Sequence, residues 1–358
     1  MAADPGWSYE YRVTVISPTT TESVAPTLSA SVATALDPTL AAVLDPAVDP
    51  AVDTAVETAV DTALETASDT AARPRARSDA AADATVRRLT EADLPRCTEL
   101  GVSRGWGAEE RKWGLLFELG EIYGIEAPDG RLIATTVLTR YGARFGSVSM
   151  VLVAQTHERQ GFGARIMRHV IDQAGGATLV LHATASGRPL YEKLGFHAFG
   201  AVEAHVGTFD ATGTTTGRSH PAAPEDLLQL ARLDREVYGV HRTALIKRLP
   251  RFAERIRVLR DAEGVIVGYG AAWRGEDRLN LGPVLAPDFA GARDLIADLV
   301  DGVEDPLRLD IDHEGDDLSA WACGHGLKPV YTCSHMVLGG PVPMDQARLH
   351  SPLMCALG

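Results

Sequence analysis

From Thr85 onward the apolar and polar positions follow two alternating periods, one of strands and one of helices. Residues 85–89 read as a strand, and Thr90 as the cap of a helix over 91–102 that Pro95 interrupts; a second helix is predicted over 108–116. Two β-rich runs, 121–126 and 132–139, meet across Pro128-Asp129-Gly130, a hairpin signal. A third apolar strand, 147–154, runs into a loop with two glycines and then a helix over 164–174. That helix carries Ile166, Met167, Val170, Ile171 and Ala174 on one face and stops at Gly175-Gly176. A strand (178–182), a short helix (187–194) closed by Gly195, and a final strand pair within 196–206 complete a first domain at 84–206.

Residues 207–222, rich in Thr, Gly and Pro, read as a linker. A second block, 223–340, repeats the order of the first: helices, strands at 265–273 and 279–285, a helix at 288–300, a strand at 307–311, a helix at 317–325 and strands ending near Val337. Its Asp261-Ala262-Glu263-Gly264 turn mirrors Asp129-Gly130, which suggests an internal structural duplication. Residues 341–358 are expected to be a tail. Before the first domain, acids from Asp45 to Asp69 recur every fourth residue between Ala-Val and Ala-Leu pairs. Small side chains, three prolines and like charges at i, i+4 argue for a disordered low-complexity extension over 1–83.

Composition narrows the function class. Of the net charge of −14, residues 1–84 carry −9, so the remainder is only mildly acidic; a nucleic-acid or anionic-membrane surface is not expected. Cys97, Cys323, Cys333 and Cys355 have no paired spacing, which predicts neither a disulfide framework nor a metal site. No apolar run reaches the length of a membrane span, and the first eighteen residues lack the basic and apolar regions of a secretory signal, so a cytoplasmic enzyme is expected.

The loop Arg159-Gln160-Gly161-Phe162-Gly163-Ala164 is the main chemical candidate. The first N–H groups of a helix have no internal acceptor, and the helix dipole makes that end an anion site. Glycines at 161 and 163 would let phosphate oxygens reach those groups. The loop is neither the three-glycine dinucleotide fingerprint nor a Walker loop. Taken alone, it could equally be a tight turn that needs glycine for geometry.

Its surroundings carry more. Residues 150–167 (MVLVAQTHERQGFGARIM) resemble motif A of the GNAT N-acetyltransferase superfamily, and residues 183–196 (ATASGRPLYEKLGF) resemble its motif B, in the family's order and spacing. The second block is similar to the degenerate C-terminal domain of tandem GNAT proteins, through residues 237–246 (VYGVHRTALI) and 281–287 (LGPVLAP). The resemblance implies an α/β protein of mixed sheet, with two tandem GNAT domains. It implies acetyl-CoA as cosubstrate, its pyrophosphate on residues 159–164 and its pantetheine arm paired like an extra strand with Val151, Leu152 and Val153. The acetyl group would pass directly to a small-molecule amine in a ternary complex. Tyr191 matches the family's tyrosine that protonates the leaving thiolate. The chain departs from the motif at Glu158, which falls where the family has Arg or Gln and must point away or pair with a neighbour such as Arg159 or Arg165.

The base that takes the amine's proton is left open: Glu118 and Glu121 lie near the strand lining the acceptor pocket, with Glu126 and His182 as further candidates. Trp106 and Trp113 could wall that pocket or simply pack their helices. In the second block one glycine and Asp288 stand where the loop would be, so no cofactor is expected there; Tyr238, His241, Arg242 and Asp312 face either a cleft or the surface. Other readings are a non-catalytic acyl-CoA-binding regulatory module, a protein N-terminal or lysine acetyltransferase, and transfer of a longer acyl chain. A homodimer is compatible with all of them.

Overall fold

The computed structural model describes Ala81 and residues 84–312 and 316–358. The extension over 1–83 therefore lies outside the described residues except at Ala81, which is buried against Phe162 and Ile166.

The first half runs β1 (Val86–Arg88), α1 (Leu94–Ser103), α2 (Glu110–Leu119), β2 (Glu121–Glu126), β3 (Leu132–Arg140), β4 (Phe145–Val153), α3 (Phe162–Ala174), β5 (Thr178–Ala183), α4 (Arg188–Lys193) and β6 (His197–Gly207). Pro95 does not interrupt α1 but sits in its first turn, where a missing N–H costs nothing. The second half runs β7 (His220–Pro221), α5 (Leu227–Tyr238), α6 (Thr243–Ile246), α7 (Leu249–Phe252), β8 (Arg255–Arg260), β9 (Ile266–Arg274), β10 (Leu279–Leu285), α8 (Phe289–Leu299), β11 (Leu307–Asp312), α9 (Asp316–Gly324), β12 (Lys328–Leu338) and β13 (Leu349–Ser351).

All thirteen strands join one mixed sheet in the order β1-β2-β3-β4-β5-β12-β6-β11-β10-β9-β8-β7, with β13 added to β10. The two halves exchange strands at its centre. Where the sequence predicts a strand pair within 196–206, there is one eleven-residue strand, β6, whose neighbours β12 and β11 both come from the second half. β12 in turn lies between β5 and β6. A strand inside a sheet needs neighbours on both edges, and sequence adjacency does not say which chain segment supplies them.

The exchange carries side chains into the opposite core. Met336 of β12 is fully buried among Met167, Val170, Leu181 and Tyr191 of the first half. On the opposite face one core joins Trp113 and Leu116 of α2 to Tyr238, Ile246 and Phe252 of α5–α7. Residues 349–357 close that core: Leu349, Leu353 and Leu357 are buried in it, and β13 pairs with β10. Its buried charge is Arg242, which pairs with Asp234 at 2.7 Å and lies over the Tyr238 ring. Asp234 also accepts from the Tyr269 hydroxyl at 2.8 Å.

Because Met336 packs in the first half's core, Met336→Ala is expected to remove about 2–5 kcal/mol of stability. Thermal melting should remain a single transition at a lower Tm. Two separated transitions would show the halves to be independent.

Candidate active site

The site forms where two parallel strands part. β4 and β5 pair only from Phe145↔Thr178 to Ser147↔Val180; beyond Ser147, β4 has no further residue in register with β5. The parting coincides with an irregularity in β4. Met150 has φ +47, and the β3–β4 register shifts between Thr135 and Val137. The Thr135 hydroxyl holds this bulge by donating to the Met150 carbonyl at 2.9 Å. Val151, Leu152 and Val153 thus lie on a strand segment whose β5 side is open, the geometry that lets an extended chain add as a strand.

At the end of β4 the chain turns through residues 155–161 into α3. Gly161 is the residue before the helix, with φ +95, a conformation glycine adopts without strain. No side chain among the described residues caps α3, so its first amides, those of Phe162, Gly163 and Ala164, are left without an acceptor at the positive end of the helix dipole. A Cβ at 163 would sit 3.2 Å from Leu190 Cδ2, so glycine keeps this crossing of α3 and α4 open. Arg159 is exposed at φ +55 and pairs with no carboxylate among the described residues. The Gln160 amide instead folds back on the Thr156 carbonyl at 2.9 Å and stiffens the turn. These features fit a pyrophosphate: an uncapped amide cluster, a free guanidinium, and an adjoining unpaired strand.

Glu158 finds a partner outside the loop. Its carboxylate pairs with Arg104 just after α1, not with Arg159 or Arg165. Arg165 is taken by the Ala84 carbonyl at 3.2 Å.

The second half has the same frame with both features closed. β10 and β11 pair in parallel over Leu279–Leu307 to Leu281–Leu309 and then part. The vacated side of β10 is filled by β13, with Val284 opposite Ser351 and Leu285 opposite Leu349. The α8 N-terminus is capped by Asp288, whose carboxylate accepts from the Gly291 amide at 2.8 Å. The chain supplies its own strand and its own anion in the two places left open in the first half.

Tyr191 is buried on α4, its ring edge-on to Phe196 at 6.1 Å. The sequence puts Leu190 and Leu194 toward the core and Tyr191 aside; in the six-residue α4 the tyrosine is buried and the leucines are half-buried, because Leu190 turns toward Gly163. Burial, reinforced by the Cys333 thiol on β12, pushes the phenol well above its ordinary pKa, so it stays protonated at neutral pH.

The carboxylates considered as bases are all engaged. Glu118 pairs with Arg248, at 2.6 Å, and with Arg251 in the second half. Glu121 binds Arg140 at 2.8 Å and the Tyr123 hydroxyl at 2.7 Å. Burial raises the Glu121 pKa, but these hydrogen bonds outweigh it and hold the carboxyl below its usual value. Arg87 and then Arg96 do the same for Glu126. His182 alone of the four candidates has no carboxylate or arginine hydrogen-bonded to it; its Nδ1 lies 3.0 Å from the Cys355 carbonyl. Trp113 is a core residue and Trp106 is exposed. Tyr238, Arg242 and Asp312 are buried, while His241 is exposed. Arg104, Cys333, His335 and residues 349–358 were not reached by motif reasoning, since each comes to the site from a distant segment.

The fold and this site define a two-domain acetyltransferase. The acetyltransferase (GNAT) domain family matches at residues 119–198, and a second family of the same description at 230–351. The chain is 30% identical over 239 residues to the uncharacterized N-acetyltransferase YitH of Bacillus subtilis (strain 168), covering 63% of this chain and 82% of that protein. Its fold is similar to that of a putative acetyltransferase from Pyrococcus horikoshii (TM-score 0.67, 16% identity, 77% of this chain and 96% of that one). It is similar also to a tandem GNAT protein from the clavulanic acid biosynthesis pathway (TM-score 0.54, 13% identity, 72% and 99%). The chain belongs to the GNAT N-acetyltransferase family. It is an acyltransferase of a family whose acetyl donor is acetyl-CoA.

Calorimetric titration with CoA is expected to give one site per chain. Gly161→Ala places a Cβ at positive φ, a strain of about 1–2 kcal/mol, and should weaken binding about tenfold or more. Asp288→Ala should cost about 1 kcal/mol of stability and create no second site; two sites in either protein would contradict the closed second half.

Proposed function

We propose that the first half binds acetyl-CoA along Val151–Val153 and residues 159–164 and transfers its acetyl group to the primary amine of a small molecule by direct attack. The observation that carries this reading is the contrast between the halves. One parallel strand pair ends in an open strand edge beside an uncapped helix; its counterpart is closed by β13 and Asp288. An open strand edge and a helix terminus with unsatisfied amides leave backbone groups for water or a ligand to use.

In this mechanism the donor brings an acetyl group already activated as a thioester. The amides of α3 and the Arg159 guanidinium hold the pyrophosphate end, and the open edge of β4 orients the arm, so attack occurs within a preassembled pair. As the C–N bond forms and the C–S bond breaks, Tyr191 gives its proton to the departing sulfur. Its raised pKa keeps that proton available throughout the neutral range. A small acceptor suits the other face, where α2, α5–α7 and residues 349–357 share one core. The four free cysteines accord with a reducing, cytoplasmic setting.

The test is thiol release from acetyl-CoA in the presence of small polyamines, amino sugars, amino acids and N-terminal peptides. Release should require a small amine. Tyr191→Phe should lower kcat by about 10²–10⁴-fold with CoA affinity unchanged. Saturable acetyl-CoA binding with no amine-dependent release would leave a binding module in place of an enzyme, and release with peptides alone would reassign the acceptor.

A further inference from the structure

β5 alternates between two environments. Leu179 and Leu181 pack with Met167 and Val170 of α3, so Val180 and His182 lie on the other face, the side of α1 and α2. There the registered partners Thr139, Ser147, Val180 and Val337 form a row across β3, β4, β5 and β12. One row further, Ser149 stands on β4 and His182 on β5, and His182 is in register with His335 of β12. Ser149 and His182 are therefore the first side chains on this face at either lip of the opening.

The two imidazoles stack, with centroids 4.2 Å apart and planes 18° apart, and the Phe199 ring lies against the far side of His335, also at 4.2 Å. His182 Nδ1 is 3.0 Å from the Cys355 carbonyl, an acceptor, so Nδ1 carries the hydrogen and Nε2 keeps its lone pair. His335 is 2% exposed, and neither of its nitrogens has a partner among the described residues. The Thr139, Ser147 and Ser149 hydroxyls in these rows are likewise buried without partners. So many orphaned polar atoms on one patch call for a polar occupant, water or ligand.

We propose that His182 is the catalytic base that takes the proton of the acceptor amine, and that His335, supplied by the second half through strand exchange, is its positioning residue. This rests on the acetyl-transfer reading of the same site. An ammonium group gives one proton to Nε2 of His182, and the freed lone pair forms the C–N bond as C–S breaks. Tyr191 protonates the sulfur, and the second nitrogen proton, lost as the amide forms, restores Tyr191. The net proton released is the one on His182, which passes to solvent. The Cys355 carbonyl and the stacked His335 ring fix the imidazole plane. The charged and titratable groups around the pair are His335, Asp310 with its partner Arg308, and the Cys355 thiol, which lies 3.4 Å from Asp310. Burial lowers the His182 pKa, partly offset by the Cys355 carbonyl and Asp310, so the ring is neutral at pH 7 and ready to accept.

His182→Gln cannot take a proton. In the full chain, kcat/KM for the amine that best releases thiol should fall about 10²–10⁴-fold at pH 7, with CoA affinity unchanged. The deficit should shrink as pH rises and the amine becomes neutral in solution. His335→Phe, which keeps a stacked ring, should displace the acidic limb of the wild-type pH profile. Unchanged activity in His182→Gln, or a loss equal at every pH, overturns the proposal. If no amine releases thiol, acetyl transfer fails by itself, and the pair is then decided by NMR titration of the histidines. The signal lost in His182→Gln should titrate below the ordinary value of about 6.5 and move in His335→Phe; a signal at the ordinary value, indifferent to His335, overturns it.

Discussion

The parallel pairing of β4 with β5 stops at Ser147↔Val180, and the rest of the site depends on that interruption. A parallel ladder that continued would bury the edge of Val151–Val153 and leave no position for an incoming chain. The bulge at Met150 and the hydroxyl of Thr135 bend β4 away while keeping its other edge paired with β3. The opening lies directly upstream of the turn into α3, so an unpaired strand edge and an uncapped helix terminus share one mouth. Neither would be a site alone. A bare helix N-terminus suits any small anion, and a bare edge strand invites aggregation; the two side by side would suit a ligand with an extended arm and a charged end.

Holding that mouth open needs rigidity elsewhere, and strand exchange supplies it. β12 pairs with the other edge of β5 and so holds β5 in the sheet where β4 departs. Residues 349–358 complete the opposite face by offering carbonyls to buried donors. Leu353 accepts from Trp273, Leu357 from Tyr141 and Cys355 from His182, so donors of both halves are satisfied by one segment. Buried polar groups carry a penalty of about 1–3 kcal/mol each when unpaired, which makes this segment a structural part of the core. The Asp234–Arg242 pair adds directionality more than stability, since desolvation consumes most of a buried ion pair's attraction.

What was legible in the sequence follows the range of the forces involved. Strands 121–126 and 279–285 and the site helix were readable because their apolar runs and glycine stops are local signals. The loop, its glycines and Tyr191 came from motif order. The strand Arg255–Arg260 was missed because its arginines look like surface; in fact Arg255 donates to the Leu299 carbonyl and Arg257 to that of Ser219, so their stems run along the sheet while their heads find backbone. The partners of β6, the Arg104–Glu158 pair and the engagement of Glu118 by Arg248 were invisible for one reason. Each joins segments far apart in the chain, and no local period encodes which distant arginine will arrive.

The two halves also show one frame whose same backbone groups are satisfied in two different ways. In the second half a carboxylate at 288 satisfies the helix terminus that phosphate would otherwise use, and β13 satisfies the strand edge. Both replacements are intramolecular, so they cost no binding entropy and are always present. In the first half the corresponding groups have no partner among the described residues. Stability and binding thus draw on the same few backbone amides. The second half gives β12 to the first, where it buries Met336 and brings His335 beside His182 and Cys333 beside Tyr191.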